Sequence, residues 1–198
     1  MIKKIVMLSA FLITGFLANA QLDKGVWLVG GSGNFFSYKL QIKSQYVDYP
    51  NGHYTDILIS PDIGYFVADR IAIGLRPTFS SSNGEVTSTI TSNQRQFFAG
   101  PFIRYYFLNP EKQFNILTDM CYQLGVSREG PRHIYRGSIN NFWLMAGPEL
   151  FFNSSVGMEI LIGYNYKKST VKYPEAPNLD IRNGFQTSIG FKLHLEKL

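Results

Sequence analysis

The sequence predicts an all-β fold, an eight-stranded antiparallel up-and-down transmembrane β-barrel with short periplasmic turns and long extracellular loops. Three observations predict this fold. Apolar and polar residues alternate with a period of two in eight segments, the charges of these segments fall on one face, and short connections alternate with long ones. Because a bilayer requires every backbone group to be paired within the protein, a closed sheet with an apolar exterior and a polar interior satisfies all three.

The individual strands follow from the alternation, which is clearest between Phe114 and Ser127. There the even positions are mostly apolar, and the odd positions are mostly small, polar or charged. The alternation does not assign the inward face of the first strand, because Trp27 and Val29 on one face and Val26 and Leu28 on the other are all apolar. Strands are predicted near residues 25–37, 54–67, 71–81, 94–107, 114–127, 139–152, 156–167 and 183–195.

The connections between these strands alternate in length. Tight turns are predicted after the second, fourth and sixth strands, at residues 68–70, 108–112 and 153–155, and connections of about a dozen residues or more after the others. The dipeptides Asn51-Gly52 and Asn83-Gly84 predict type I′ hairpin turns, on strands that continue beyond the bilayer. The alternation is typical of outer-membrane barrels, and it places both chain ends on the periplasmic side.

The first 20 residues have the features of an export signal. Lys3 and Lys4 precede an apolar run, and Ala18-Asn19-Ala20 has the small-x-small form of a signal-peptidase site. The run is shorter than the roughly 20 residues that span a bilayer. We therefore expect residues 1–20 to be a signal peptide cleaved near Ala20, and residues 21–198 to be the barrel domain.

Composition excludes several function classes. The formal net charge of +5 is too small to indicate nucleic-acid binding. Cys121 is the single cysteine, so neither an intrachain disulfide nor a cysteine-based metal site is expected. The sequence contains no metal-ligand cluster, phosphate-binding glycine loop or nucleotide motif, so no cofactor is expected.

The charges of the strands predict a polar interior. The face predicted to contact lipid carries no charge, and a basic residue there near the midplane would cost about 2–4 kcal/mol. The opposite face carries Asp56, Asp62, Arg76, Arg104, Asp119, Glu149, Glu159, Lys167, Lys192 and Glu196. An eight-stranded barrel is just wide enough for its own side chains. A lumen charge network is therefore expected, formed by Asp62, Arg76, Arg104, Asp119, Glu149, Glu159 and Lys192. The same residues could instead line a gated ion path or an active site.

A weak repeat ends three of the strands, at residues 60–66, 100–107 and 147–152. Each copy contains a proline followed by aromatic residues and runs into a tight turn. Proline cannot donate to a ladder and normally marks an edge or a bulge, so we expect a repeated structural device. The aromatic residues are expected at the periplasmic interface, where amphipathic rings anchor a barrel.

The chain resembles the small outer-membrane β-barrel family, the OmpA-type transmembrane domain and its OmpX-like relatives, often labelled porin family. The resemblance is carried by residues 61–66 and 69–75, the two Gly-Pro repeats and residues 188–191. It implies a monomer in the outer membrane of Gram-negative bacteria, with membrane lipid, lipopolysaccharide and the barrel-assembly machinery as partners. The chain departs from the family pattern in ending on Leu198 rather than on an aromatic residue, and no wall-binding domain is expected after the eighth strand. Its signal peptide resembles those of Bacteroidetes.

Specific function is expected in the loops. Cations there could pair with lipopolysaccharide phosphates, and the candidates are Arg128, Arg132, Arg136, Lys168 and Lys172. The main hypothesis is a non-enzymatic barrel that supports envelope integrity or surface interactions. The alternatives are a lipid A-modifying enzyme with a Ser-His pair that uses His53 or His133, a narrow channel for ions or small solutes, and a soluble lipocalin-like barrel with reversed faces.

Overall fold

The structure, a computed structural model, describes residues 22–40, 52–87, 90–110, 112–129, 135–172 and 177–196. These residues form a closed barrel in which each strand pairs antiparallel with its neighbours in sequence and the last strand pairs with the first. The predicted fold class, an all-β, eight-stranded antiparallel barrel, is confirmed. The strands are β1 (Trp27–Leu40), β2 (Gly52–Ala68), β3 (Ile71–Thr87), β4 (Ile90–Tyr106), β5 (Phe114–Glu129), β6 (Tyr135–Phe151), β7 (Val156–Lys172) and β8 (Pro177–Leu195).

The three tight turns lie where the sequence predicts them, at one end of the barrel, which we call the turn end. Residues 69–70 join β2 to β3, and Arg70 adopts a left-handed conformation with φ of 66°. Its backbone N–H donates to the carbonyl of Leu22 at 2.7 Å, and its guanidinium donates to Asn109 Oδ1 at 2.7 Å. The bond to Leu22 holds the chain ahead of β1 at the turn end, and the bond to Asn109 joins two of the tight turns.

The strands run further than predicted toward the opposite end, which we call the loop end. Asn83-Gly84 is not a turn, because Asn83 pairs with Asn93 and Gly84 with Ser92 inside the β3–β4 ladder. Only residues 88–89 separate β3 from β4, residues 130–134 separate β5 from β6, and residues 173–176 separate β7 from β8, so the expected connections of about a dozen residues or more are wrong at these three places. Threonine and isoleucine favour strands, and each added pair extends a hairpin that is already closed.

The two faces of the sheet are sorted as the alternation indicates. Large apolar side chains point outward on every strand and retain 36% to 86% exposure. Val26 and Leu28 are buried while Trp27 is outward, which assigns the faces of β1. A soluble barrel would bury its apolar set, so the reversed-face alternative is wrong. No helix in the described part of the chain is long and apolar enough to cross a bilayer.

The repeated prolines interrupt the sheet without changing its register. Pairing lapses beside Pro61, Pro101 and Pro148, yet the register is the same on both sides of each gap. The expected repeated device is therefore present, and it is a break in the ladder rather than a bulge. Since proline has no N–H, the ladder loses a donor at each of these positions.

The aromatic residues of the repeats divide between the two faces. Tyr105, Phe107 and Phe152 point outward, as expected for rings at an interface. Their inward neighbours Phe66, Tyr106 and Phe151 are at most 4% exposed and lie inside the barrel, which corrects the expectation for these three. We call these three rings, together with His194, the aromatic floor. His194 lies 5.2 to 6.2 Å from each of the other rings, measured between centroids.

Candidate functional site

Seven strands each contribute one residue to a cluster of charges in the interior, nearer the turn end. The contributors are Asp62 (β2), Arg76 (β3), Arg104 (β4), Asp119 (β5), Glu149 (β6), Glu159 (β7) and Lys192 (β8). Each follows from the alternation, since inward positions recur every second residue. The remaining strand, β1, places Gly30 directly between Asp62 and Lys192. A Cβ at Gly30 would come within 2.7 Å of Lys192 Cδ, so a glycine there leaves room for the lysine.

The two arginine side chains form most of the ion pairs in this cluster. Arg76 donates to Asp62 at 3.1 Å and to Asp119 at 2.7 Å. Arg104 donates to Asp119 at 2.9 Å and to Glu159 at 2.7 Å. Each guanidinium therefore bridges two carboxylates on different strands.

Lys192 joins the two ends of this chain of ion pairs. Its ammonium contacts Asp62 and lies 3.4 Å from Glu159. The six residues alternate in charge around a closed ring, which we call the charge ring: Asp62, Arg76, Asp119, Arg104, Glu159 and Lys192. Every charge has two opposite neighbours, which offsets the cost of removing it from water.

Glu149 stands beside the ring rather than within it. Its nearest cation in the cluster is Arg104, with Nη1 3.9 Å away. Tyr106 donates its hydroxyl to Glu149 at 2.7 Å, and His194 Nε2 lies 2.9 Å from the same carboxylate. The aromatic floor therefore supplies the polar partners that the ring does not.

The charge ring fills the cross-section of the barrel. Its six side chains are between 0% and 4% exposed. On the loop-end side the Arg76 guanidinium lies over the rings of Phe102 and Trp143, 4.6 and 5.7 Å from their centroids. The aromatic floor closes the turn-end side. The interior at this level is protein rather than a water-filled path.

Toward the loop end, the interior above the charge ring is filled by a ladder of neutral polar side chains. Gln123 donates to Thr78 at 2.9 Å and accepts from Asn141 at 3.0 Å, and Asn165 donates to Asn141 at 2.9 Å. Each is a hydrogen bond between different strands, so the ladder joins the walls of the barrel without charge.

Beyond this ladder the interior opens into a cavity of about 420 Å³, which we call the vestibule. Asp56, Lys167 and Arg182 line it, so the expected lumen charges Asp56 and Lys167 lie here and not in the ring. Lys167 donates to Gln96 at 3.1 Å. Glu196, also expected in the lumen, is exposed beyond the end of β8. The vestibule is blind, because the ladder and ring lie beneath it.

The wall of the vestibule is incomplete on one side. β1 and β8 pair only from Trp27 with Leu195 to Gly33 with Ile189. Above that point Asn34 on β1 and residues 185–187 on β8 border the vestibule without pairing to one another.

The cations expected in loops lie on strands instead. Arg128 belongs to β5, Arg136 to β6 and Lys168 to β7, and all three are exposed on the outer face near the loop end. Lys172 is the last residue of β7. Arg132 lies outside the described residues, as does His133. The extended strands account for the difference, since they include residues that the sequence assigned to loops.

Three residues of the interior were not predicted from the sequence. Tyr106 was expected at the periplasmic interface and His194 near the chain end, and Gly30 was given no role. All three are at even positions on strands whose inward residues are even, in phase with Arg104, Lys192 and Leu28, so strict use of the alternation would have found them. Within the described residues there is no group of three or more metal-ligating side chains.

A closed eight-stranded meander with an apolar exterior and a charged interior defines the architecture of small outer-membrane β-barrels. Comparison with a solved structure agrees at the level of the fold. The chain is similar to the crystal structure of the outer membrane protein OprG from Pseudomonas aeruginosa, with a TM-score of 0.57 and 12% identity over 89% of this chain and 99% of that one. The solid-state NMR structure of the outer membrane protein AlkL in lipid bilayers matches with a TM-score of 0.39 and 13% identity, over 87% and 88% of the two chains. No family model and no curated protein matches the chain.

Proposed function

We propose that this protein is a non-enzymatic, non-conducting barrel of the Gram-negative outer membrane, which supports envelope integrity by contacts of its loop end with lipopolysaccharide. The observation that carries the proposal is the closed charge ring inside a sheet whose outer rows are apolar. Lipid accounts for the exterior, and the ring accounts for an interior that seals the barrel instead of forming a path through it.

The proposal includes the route by which the chain reaches the membrane. Residues 1–20 direct export and are removed near Ala20, and the barrel-assembly machinery inserts residues 21–198 as a monomer. The protein is then of the OmpA and OmpX kind, from a Bacteroidetes-like source. An apolar outer face supports insertion as a single barrel, because lipid rather than a second copy can cover it.

Conduction in a planar bilayer tests the closed lumen. The expected result is no discrete current steps from the folded wild-type barrel. The variant Arg76→Ala/Asp119→Ala removes one cation and one anion from the ring, and we expect it to conduct. Gln186→Ala, at the vestibule, is the matched control and should remain silent. Wild-type steps that increase with salt concentration would contradict the proposal.

Lipid A mass spectrometry tests the absence of enzymatic activity. Cells that produce the barrel should show an unchanged set of lipid A masses. A mass change that is lost in His133→Ala would establish the alternative, an enzyme acting at the loop end.

A further inference from the structure

Three arginines occupy directly paired positions on the outer face near the loop end. Arg95 on β4 pairs with Arg128 on β5, and Arg128 pairs with Arg136 on β6. All three side chains are exposed, and none forms an ion pair with another described residue. Like charges directly opposite one another destabilise a sheet. An anion bound between them would reverse the sign of that interaction.

An apolar groove of about 460 Å³ begins at this row, which we call the arginine row (Arg95, Arg128 and Arg136). Its floor is the next outward row toward the turn end, formed by Ile59, Phe79, Phe97 and Val126. Ser81 lies in the same outward row as the arginines, between Ile57 and Arg95. Because its side chain is short, the surface is depressed at this position.

Cations above an apolar groove match a molecule with an anionic head and a hydrocarbon tail. Arginine binds phosphate through two parallel hydrogen bonds, and an apolar groove in a lipid-facing surface holds a hydrocarbon chain by van der Waals packing. Adjacent strands lie about 4.8 Å apart, so the arginine row spans roughly 10 Å. That width suits a head with two phosphate groups better than one with a single phosphate.

We propose that the arginine row and this groove form a binding site for the lipid A part of lipopolysaccharide, with its phosphates on the three arginines and an acyl chain in the groove. The site rests on the proposed function, because it requires the loop end to face the outer leaflet. It adds Arg95 to the cations expected from the sequence, and it places Arg128 and Arg136 on one surface with it.

Native mass spectrometry of the folded full barrel tests the phosphate contacts. The probes are bis-phosphorylated lipid A, monophosphorylated lipid A and phosphatidylglycerol. We expect the wild type to retain bis-phosphorylated lipid A best, and Arg95→Gln/Arg128→Gln to bind it about tenfold more weakly or worse. Lys24→Gln/Lys112→Gln removes the same charge from exposed positions at the turn end and should bind as the wild type does.

Filling the groove tests the acyl contact separately. Ser81→Phe keeps all three arginines, so it should weaken binding of acylated lipid A and leave binding of the deacylated phosphorylated headgroup unchanged. Ala146→Phe adds the same ring to the outer face of β6 away from the groove and should have no effect. The slower or faster migration of unboiled samples on a gel verifies that each variant is folded.

Three outcomes would overturn the site. Equal binding by the wild type and the double arginine variant would exclude the arginine row. Phosphatidylglycerol bound as tightly as lipid A would show a general anionic-lipid surface. An equal loss of lipid A binding in the lysine control would show that binding depends on the overall charge of the protein and not on the arginine row. A conducting or soluble barrel would instead refute the proposed function, and binding by the folded protein distinguishes the two failures.

Discussion

Replacing Arg104 by methionine should open the charge ring. Arg104 is fully buried and donates to Asp119 at 2.9 Å and to Glu159 at 2.7 Å. Methionine fills much of the same volume without charge or donors. The two carboxylates remain in the interior, and each loses one of its two cations.

The structure sets the expected size of this effect. Removing one partner of a buried ion pair typically costs 3–5 kcal/mol, because the other charge stays buried. Asp119 keeps Arg76, and Glu159 keeps Lys192, so neither carboxylate becomes isolated. We therefore expect Arg104→Met to lower the free energy of unfolding by about 3 kcal/mol, the lower part of that range.

Urea unfolding measures this free energy, on barrel refolded into phospholipid vesicles that contain no lipopolysaccharide. Arg128→Met makes the same substitution on the outer face, and should change the free energy by no more than about 0.5 kcal/mol. Arg104→Met/Glu159→Met removes one charge of each sign and should recover about half of the loss. A loss below about 1 kcal/mol in Arg104→Met, with no recovery in the double variant, would show that the ring does not stabilise the barrel.

Further predictions concern close packing and access to the interior. Gly100→Ala should destabilise the barrel by about 1–3 kcal/mol, because a Cβ there meets the Tyr122 carbonyl, whereas Gly184→Ala has open space and should be neutral in the same urea titration. Cys121 is 1% exposed, so a maleimide should modify it in urea and not in the folded barrel. Ser82→Cys, at the vestibule, should react in the folded state. Rapid modification of folded Cys121 would contradict a closed lumen.

The fold could be predicted because one physical rule acts along the whole chain. Lipid excludes charge from the outer face, so the position of Arg104 or Glu159 in its strand fixes the direction of every neighbouring side chain. Strand ends at the loop end obey no such rule. Asn83-Gly84 has the chemistry of a turn, yet its residues pair across β3 and β4, since a hairpin that is already closed gains from each added pair. The preference of Asn-Gly for a turn is smaller than the stability gained by extending the paired strands.

The partners within the site could not be read from the sequence, because alternation fixes a side chain's face and not its neighbours. Glu149 shows the difference. It lies directly opposite Glu159 across the β6–β7 ladder, an arrangement of like charges that destabilises a sheet when nothing intervenes. Arg104 reaches both carboxylates, but it lies 2.7 Å from Glu159 and 3.9 Å from Glu149.

Because Arg104 lies closer to Glu159 than to Glu149, Glu149 needs other polar partners, and the turn end supplies them. Glu149 turns toward the aromatic floor, where Tyr106 donates to it and His194 contacts it. Gly157 makes this conformation possible, because a Cβ there would collide with the Glu149 carboxylate. The floor is therefore a second polar site and not only an apolar plug. Its aromatic rings exclude water from a carboxylate that the charge ring leaves beside it, and its two polar groups satisfy that carboxylate.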